Sequence, residues 1–129
     1  MASSVIGNPS DALKALISGR MRFARAEGRL AVKTAENGEN GRILHFRLRL
    51  ENPSYDTAVL QDFTLILYDA GGQQLSAVPI LEDSAPLTLR AWQHKTLEGD
   101  APIPDSAAAA AVSWADQRHQ QWETPTVAL

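Results

Sequence analysis

Leu65-Ile66-Leu67-Tyr68-Asp69-Ala70-Gly71-Gly72, with Leu50-Glu51-Asn52-Pro53-Ser54 upstream, decides the fold of this chain. An apolar run ends in an aspartate and two glycines, the pattern of a strand that stops at a tight turn. Glycine supplies the left-handed backbone such a turn needs, and the aspartate carboxylate can bond the amides that follow it. Asn52-Pro53-Ser54 punctuates the preceding strand in the same way. The hydroxyl, the carboxylate and the glycines stand where architecture needs them rather than where catalysis would.

Working outward, the strand before Asn52 is the clearest in the chain. Leu44, Phe46, Leu48 and Leu50 alternate with His45, Arg47 and Arg49, a strict period of two that buries one face. Leu30, Val32 and Thr34 alternate in the same manner upstream, and Gly28 predicts a bulge or bend. The Asn37-Gly38 and Asn40-Gly41 pairs between these strands signal a hairpin. After the Asn52 loop, Ala58 to Tyr68 is extended, with Leu60, Phe63, Leu65 and Leu67 as core residues. Gln73 to Leu81 follows the glycine turn, and Pro79 marks it as an edge strand or a bent one. Leu87 to Leu97 reads as one further strand, with Leu87, Leu89 and Ala91 opposed to Thr88, Arg90 and Trp92. The alanine run Ala107–Ala111 has helix propensity behind a capping serine, Ser106, yet a sandwich needs a closing strand after the Pro102/Pro104 loop. The expectation is a strand over residues 108–116.

The ends differ from the middle. Asn8-Pro9-Ser10-Asp11 is a helix start, Leu13, Leu16 and Ile17 share one face, and Gly19 ends the helix. A helix this short needs a surface to dock on, its own sandwich or a neighbour. Residues 117–129 read as an irregular polar tail that a neighbour could order. The organisation expected is an arm and helix over 1–20, a β-sandwich over 21–116 and a tail over 117–129. The fold class is all-β with one short N-terminal helix: an immunoglobulin-like antiparallel sandwich of six to seven strands.

Composition narrows the chemistry. The 129 residues suffice for one domain with a real core, and the absence of cysteine excludes disulfides, thiol nucleophiles and thiolate metal sites. No apolar run approaches the roughly 20 residues of a transmembrane helix. Residues 1–7 lack the basic start and apolar stretch of a secretory signal. The compartment stays open between a virion or cytoplasmic assembly and the mature form of an exported protein. The net charge of −3 is asymmetric: residues 1–50 carry nine Lys and Arg against four acids, residues 51–129 three against eleven. Adjacent strands from the two halves can neutralise one another, or the polarity can steer a partner.

Residues 42–116 resemble the FxLYD domains, small bacterial β-sandwiches, with Leu65 where the name-giving phenylalanine would stand and Leu67-Tyr68-Asp69 completing the signature. Leu48-Arg49-Leu50-Glu51-Asn52-Pro53-Ser54 is similar to the strand and turn preceding that signature, and to the Asn-Pro element of the late-embryogenesis-abundant, water-stress type of sandwich. The resemblance implies a non-catalytic domain, often extracytoplasmic.

Candidate chemistry is sparse. His45, His94 and His119 lack metal-ligand spacing, no serine sits in a nucleophile elbow, and no lysine follows Gly71-Gly72 as in a phosphate loop. Glu82-Asp83, Asp100 and Asp105 read as solubilising loop charge. Arg20, Arg22, Arg25 and Arg29, with the single aromatic Phe23, fit a protein interface better than a nucleic acid. No cofactor, metal, catalytic residue or small-molecule substrate is inferred. Trp114 is expected in the core. Trp92 is an interface anchor or is buried on a second sheet face or beneath the helix, and Trp122 is an anchor in the tail. The interface candidates are therefore Leu13, Leu16, Ile17, Arg20, Arg22, Trp92 and Trp122. The function expected is that of a non-catalytic structural or protein-interaction module, a subunit of a virion-type or cell-surface assembly that self-associates or meets a protein partner through its terminal segments. The alternative is an extracytoplasmic ligand- or envelope-binding domain of the FxLYD kind.

Overall fold

The computed structural model describes residues 25–36, 41–80 and 86–129. The expected N-terminal helix, with Leu13, Leu16, Ile17, Arg20 and Arg22, lies outside them. The described residues form nine strands: β1 (Glu27–Glu36), β2 (Arg42–Glu51), β3 (Ala58–Tyr68), β4 (Gln74–Pro79), β5 (Leu87–Leu89), β6 (His94–Ile103), β7 (Ala109–Ala115), β8 (Gln121–Glu123) and β9 (Val127–Ala128). Six are long, and β5, β8 and β9 are two or three residues each. All pairings are antiparallel. One sheet has the order β1-β2-β6; the other has β4-β3-β7-β8, with β5 also on β3 and β9 also on β7. This is an all-β, immunoglobulin-like sandwich.

The period of two in β2 does what it predicts. Leu44, Phe46, Leu48 and Leu50 are buried, while His45, Arg47 and Arg49 are exposed. Each fully buried leucine is worth roughly 1.5–3 kcal/mol of transfer free energy. They meet Leu60, Phe63, Leu65 and Leu67 of β3 and Val112 and Trp114 of β7 in one core. The three-residue step from Leu60 to Phe63 breaks alternation, and the structure shows why. The β3–β7 register shifts between Gln61 and Thr64, and Asp62 takes a left-handed φ of 58°. That bulge returns Phe63 to the inner face.

The glycine turn after β3 is built by Asp69. Its Oδ1 accepts the amides of Gly71 (2.8 Å) and Gln73 (2.9 Å), and its carbonyl accepts that of Gly72, whose φ is 83°. The β7–β8 turn repeats this arrangement. Asp116 Oδ1 accepts the amides of Arg118 (2.8 Å) and Gln120 (3.0 Å), its carbonyl accepts that of His119, and His119 takes the left-handed place with φ 63°. Asp-x-x-x-Gln therefore writes both hairpins.

Four expectations need correction. Residues 87–97 are not one strand: β5 belongs to one sheet and β6 to the other, with the chain crossing over at 90–93. The left-handed Trp92, φ 62°, makes that reversal. Secondly, β6 runs through Pro102 to Ile103, where a loop was expected. Among the described residues it is an edge strand that pairs only with β2, so a residue without an N–H is tolerated there. Thirdly, the C-terminal residues are not an irregular tail: β8 and β9 add to β7, and Thr124 between them is buried, its Oγ1 accepting the Val112 amide at 3.0 Å. Lastly, Gly28 makes no bulge. It pairs in regular register with Leu50, and a Cβ there would lie 2.7 Å from Cη2 of Trp114. Gly28→Ala is expected to displace the Trp114 ring and lower stability by about 1–3 kcal/mol, read as a lower urea midpoint with unchanged slope.

Candidate functional site

Asn52 follows the last residue of β2 and is completely buried. A buried primary amide must satisfy two donors and an acceptor, and here it does. Nδ2 donates to the carbonyls of Asp56 (2.7 Å) and Leu89 (2.9 Å), and Oδ1 accepts the Ser54 amide (2.9 Å) and the Ser54 hydroxyl. Its backbone continues the β2–β6 ladder into the loops, donating to Gln93 O and accepting from the Trp92 amide at 2.8 Å. One side chain thus braces the β2–β3 loop against the end of β5, while its backbone holds the β5–β6 crossover.

Those loops display two aromatic rings. Tyr55 is 67% exposed and Trp92 55% exposed, packed edge to face with centroids 5.5 Å apart. Such a pair gains stacking energy of about 0.5–1.5 kcal/mol but leaves most of its apolar surface in water. Arg90 and Gln93 close the turn beneath, the Arg90 amide donating to Gln93 Oε1 at 2.9 Å. Trp92 was legible as an interface candidate, although it lies in a turn rather than on a strand. Tyr55 was not singled out, because an aromatic in a Pro-Ser-Tyr-Asp loop carries no periodic signal.

Trp122 is not an anchor in a free tail. It lies half-buried on β8 directly opposite Trp114, and its indole Nε1 donates to Asp116 Oδ2 at 3.0 Å. The same oxygen accepts the Arg118 guanidinium at 3.0 Å. Burial alone would raise the Asp116 carboxyl. The bonds from Trp122, the Gln120 and Arg118 amides and the Arg118 guanidinium outweigh it and hold the group below the usual carboxylate range. Trp114 and Trp122 line a cleft of about 550 Å³ at the seam of the two sheets, with Gly28, Pro125, Arg29, Arg49 and Glu51 also on its walls. The Trp114 indole N–H, fully buried, finds no acceptor among the described residues.

The remaining polar groups are dispersed. His45 pairs with Asp100 and Arg47 with Glu98 (2.9 Å) across β2 and β6, on the exposed outer face of that sheet. The positive first half and negative second half of the sequence meet here, as adjacent strands. Arg25 pairs with Glu27 at 3.3 Å. His94 is an exposed strand residue and His119 occupies the β7–β8 turn. Tyr68, the last residue of β3, donates its hydroxyl to Glu123 Oε2 at 3.2 Å, spanning β7. Burial first, then the Glu123 charge and bond, push its phenol up. Among the described residues no three His, Asp or Glu side chains gather to hold a metal ion, and no helix is long and apolar enough to cross a membrane.

No family model matches the chain, and no curated protein matches it. Solved structures do match in shape. A Bordetella pertussis protein assigned as ApaA superposes with a TM-score of 0.56 at 8% identity, over 84% of this chain and 94% of its own. The structural genomics target SoR45 does so with a TM-score of 0.54 at 12% identity, over 82% of this chain and 85% of its own. At these identities the likeness is one of fold.

Proposed function

We propose that the chain is a non-catalytic protein-interaction module, a subunit that meets its neighbour through the loop end of the sandwich. The observation that carries this reading is the exposed Tyr55–Trp92 pair on loops braced by a fully satisfied Asn52. Tyrosine and tryptophan are the side chains that dominate binding energy at interfaces, and held rigidly they bind with little entropic loss. The contact surface is therefore the β2–β3 loop and the β5–β6 turn, not the C-terminal segment, which belongs to the protein's own sheet.

The test is a photo-crosslinking residue, p-benzoylphenylalanine, placed at Tyr55 in the protein's own cells. The control places it at Thr96, exposed on the outer face of the β1-β2-β6 sheet. A discrete protein adduct is expected from position 55 and none from 96. Adding Trp92→Ala is expected to weaken the adduct about tenfold or more, as for loss of an aromatic anchor. No discrete adduct from position 55, or one of equal strength from 96 or unaffected by Trp92→Ala, overturns the reading.

A further inference from the structure

Among the described residues the exposed large apolar side chains are four: Tyr55 and Trp92 at the loop end, and Leu75 and Val78 on β4. We infer that β4 is a self-pairing edge, joining antiparallel to β4 of a second copy about a two-fold axis at Ala77, so that one sheet runs through two molecules. This does not depend on the loop-end reading.

Among the described residues β4 pairs only with β3, which leaves its other edge open, and Gln74-Leu75-Ser76-Ala77-Val78-Pro79 carries no ionisable group. The edges of the other sheet are defended by charge: Glu27, Arg29, Lys33 and Glu36 on β1, and Lys95, Glu98 and Asp100 on β6. Charge on an edge strand is the usual protection against strand addition, and β4 lacks it. In a symmetric antiparallel pair each strand meets its own sequence, so a charged strand would oppose like charges and an uncharged one does not.

The backbone fixes the register. Ile80 donates its amide to Phe63 O at 2.9 Å, and Thr64 pairs with Pro79. Alternation then turns the N–H and C=O of Val78 and Ser76 toward β3, and the backbone groups of Ala77 and Pro79 toward the open edge. A two-fold at Ala77 lets its N–H donate to the Ala77 carbonyl of the second copy, and the reverse. Pro79, which has no N–H to give, is then at the end of the pairing and not at its centre. Each Leu75–Pro79 pair then keeps only the Leu75 N–H bond, at the two ends; a register centred one residue further along would set Ala77 against Pro79 and move the missing bonds to the centre. With the axis at Ala77, Ser76 stands opposite Val78 of the second copy, and Leu75 approaches its Pro79. Ala77 itself lies on the outer face, in register with Ile66 and, across β3, Ala111, so that the surface next to the joined edges is uncharged.

The test uses charge at the axis. Ala77 is exposed, so Ala77→Lys and Ala77→Glu are expected to keep the urea midpoint of the native chain. By light scattering the native chain is expected at twice its 14.0 kDa mass, and each variant alone at the single-chain mass, with association weakened about tenfold or more. An equimolar mixture of the two variants sets Lys against Glu and is expected to recover the dimer. Trp92→Ala is expected to leave it intact, which separates this surface from the loop end. A native chain that stays at the single-chain mass, a dimer that Ala77→Lys leaves unchanged, or a mixture that stays monomeric overturns the two-fold pairing.

Discussion

Asn52→Ala is expected to lower stability by about 3 kcal/mol, a large share of the roughly 5–15 kcal/mol that holds a domain of this size folded. The substitution removes four hydrogen bonds at once and strands the Leu89 carbonyl and the Ser54 amide in a buried site. Unmade buried bonds weigh more than made ones, because the remaining partner keeps its full desolvation cost. Asn52→Asp, nearly isosteric, is expected to be no better at neutral pH, since its carboxylate would face the carbonyls of Asp56 and Leu89. Ser54→Ala, which loses only the hydroxyl, is expected to lose about 1 kcal/mol. Urea unfolding with an unchanged slope measures all three; an Asn52→Ala chain within 1 kcal/mol of native would show that the amide does not brace the loops.

Asp116→Asn is expected to lose about 2–3 kcal/mol at pH 7. Both carboxylate oxygens face donors only, two backbone amides on one and the Trp122 indole and Arg118 guanidinium on the other, so an amide must turn its own NH₂ toward one pair. The pH dependence carries the sign. A carboxyl whose folded pKa is lowered contributes its stability above the unfolded value, near 4, and loses it as pH falls through the folded one. The gap between native and Asp116→Asn is therefore expected to be full at pH 5–7 and to close below about pH 4. Because Trp122 shares the carboxylate, its near-ultraviolet dichroism is expected to change in the variant. A gap independent of pH would place the loss in packing instead.

The strands legible in sequence were those whose faces have different neighbours. Leu44 to Leu50 alternates because β2 has core on one side and water on the other. Residues 109–115 read ambiguously because alanine serves both faces of β7: Ala110 is core, and Ala111 is buried on the opposite face. Residues 87–97 misled because two short alternating runs, on different sheets, adjoin across a turn that contains neither glycine nor proline. The C-terminal strands were illegible at two and three residues each, too short to show a period. Yet their turn was written in the chain twice, as Asp69 to Gln73 and Asp116 to Gln120, and only the first has the glycine that makes it conspicuous. For the site, Trp92 was visible as an aromatic off the apolar face. Tyr55 and the bracing role of Asn52 depend on loops meeting in space, which no local pattern records.

Trp92 occupies a left-handed backbone position, which glycine would hold without strain and a bulky side chain holds at a cost of order 1–3 kcal/mol. Selection for durability alone would install glycine there, and directed evolution toward heat resistance would tend to find the same replacement. That replacement would also erase half of the exposed aromatic pair. On the proposed interaction reading, the crossover is thus a position where robustness and recognition pull in opposite directions. Trp92→Gly is accordingly expected to make the chain harder to unfold and, on that reading, to cost it the contact.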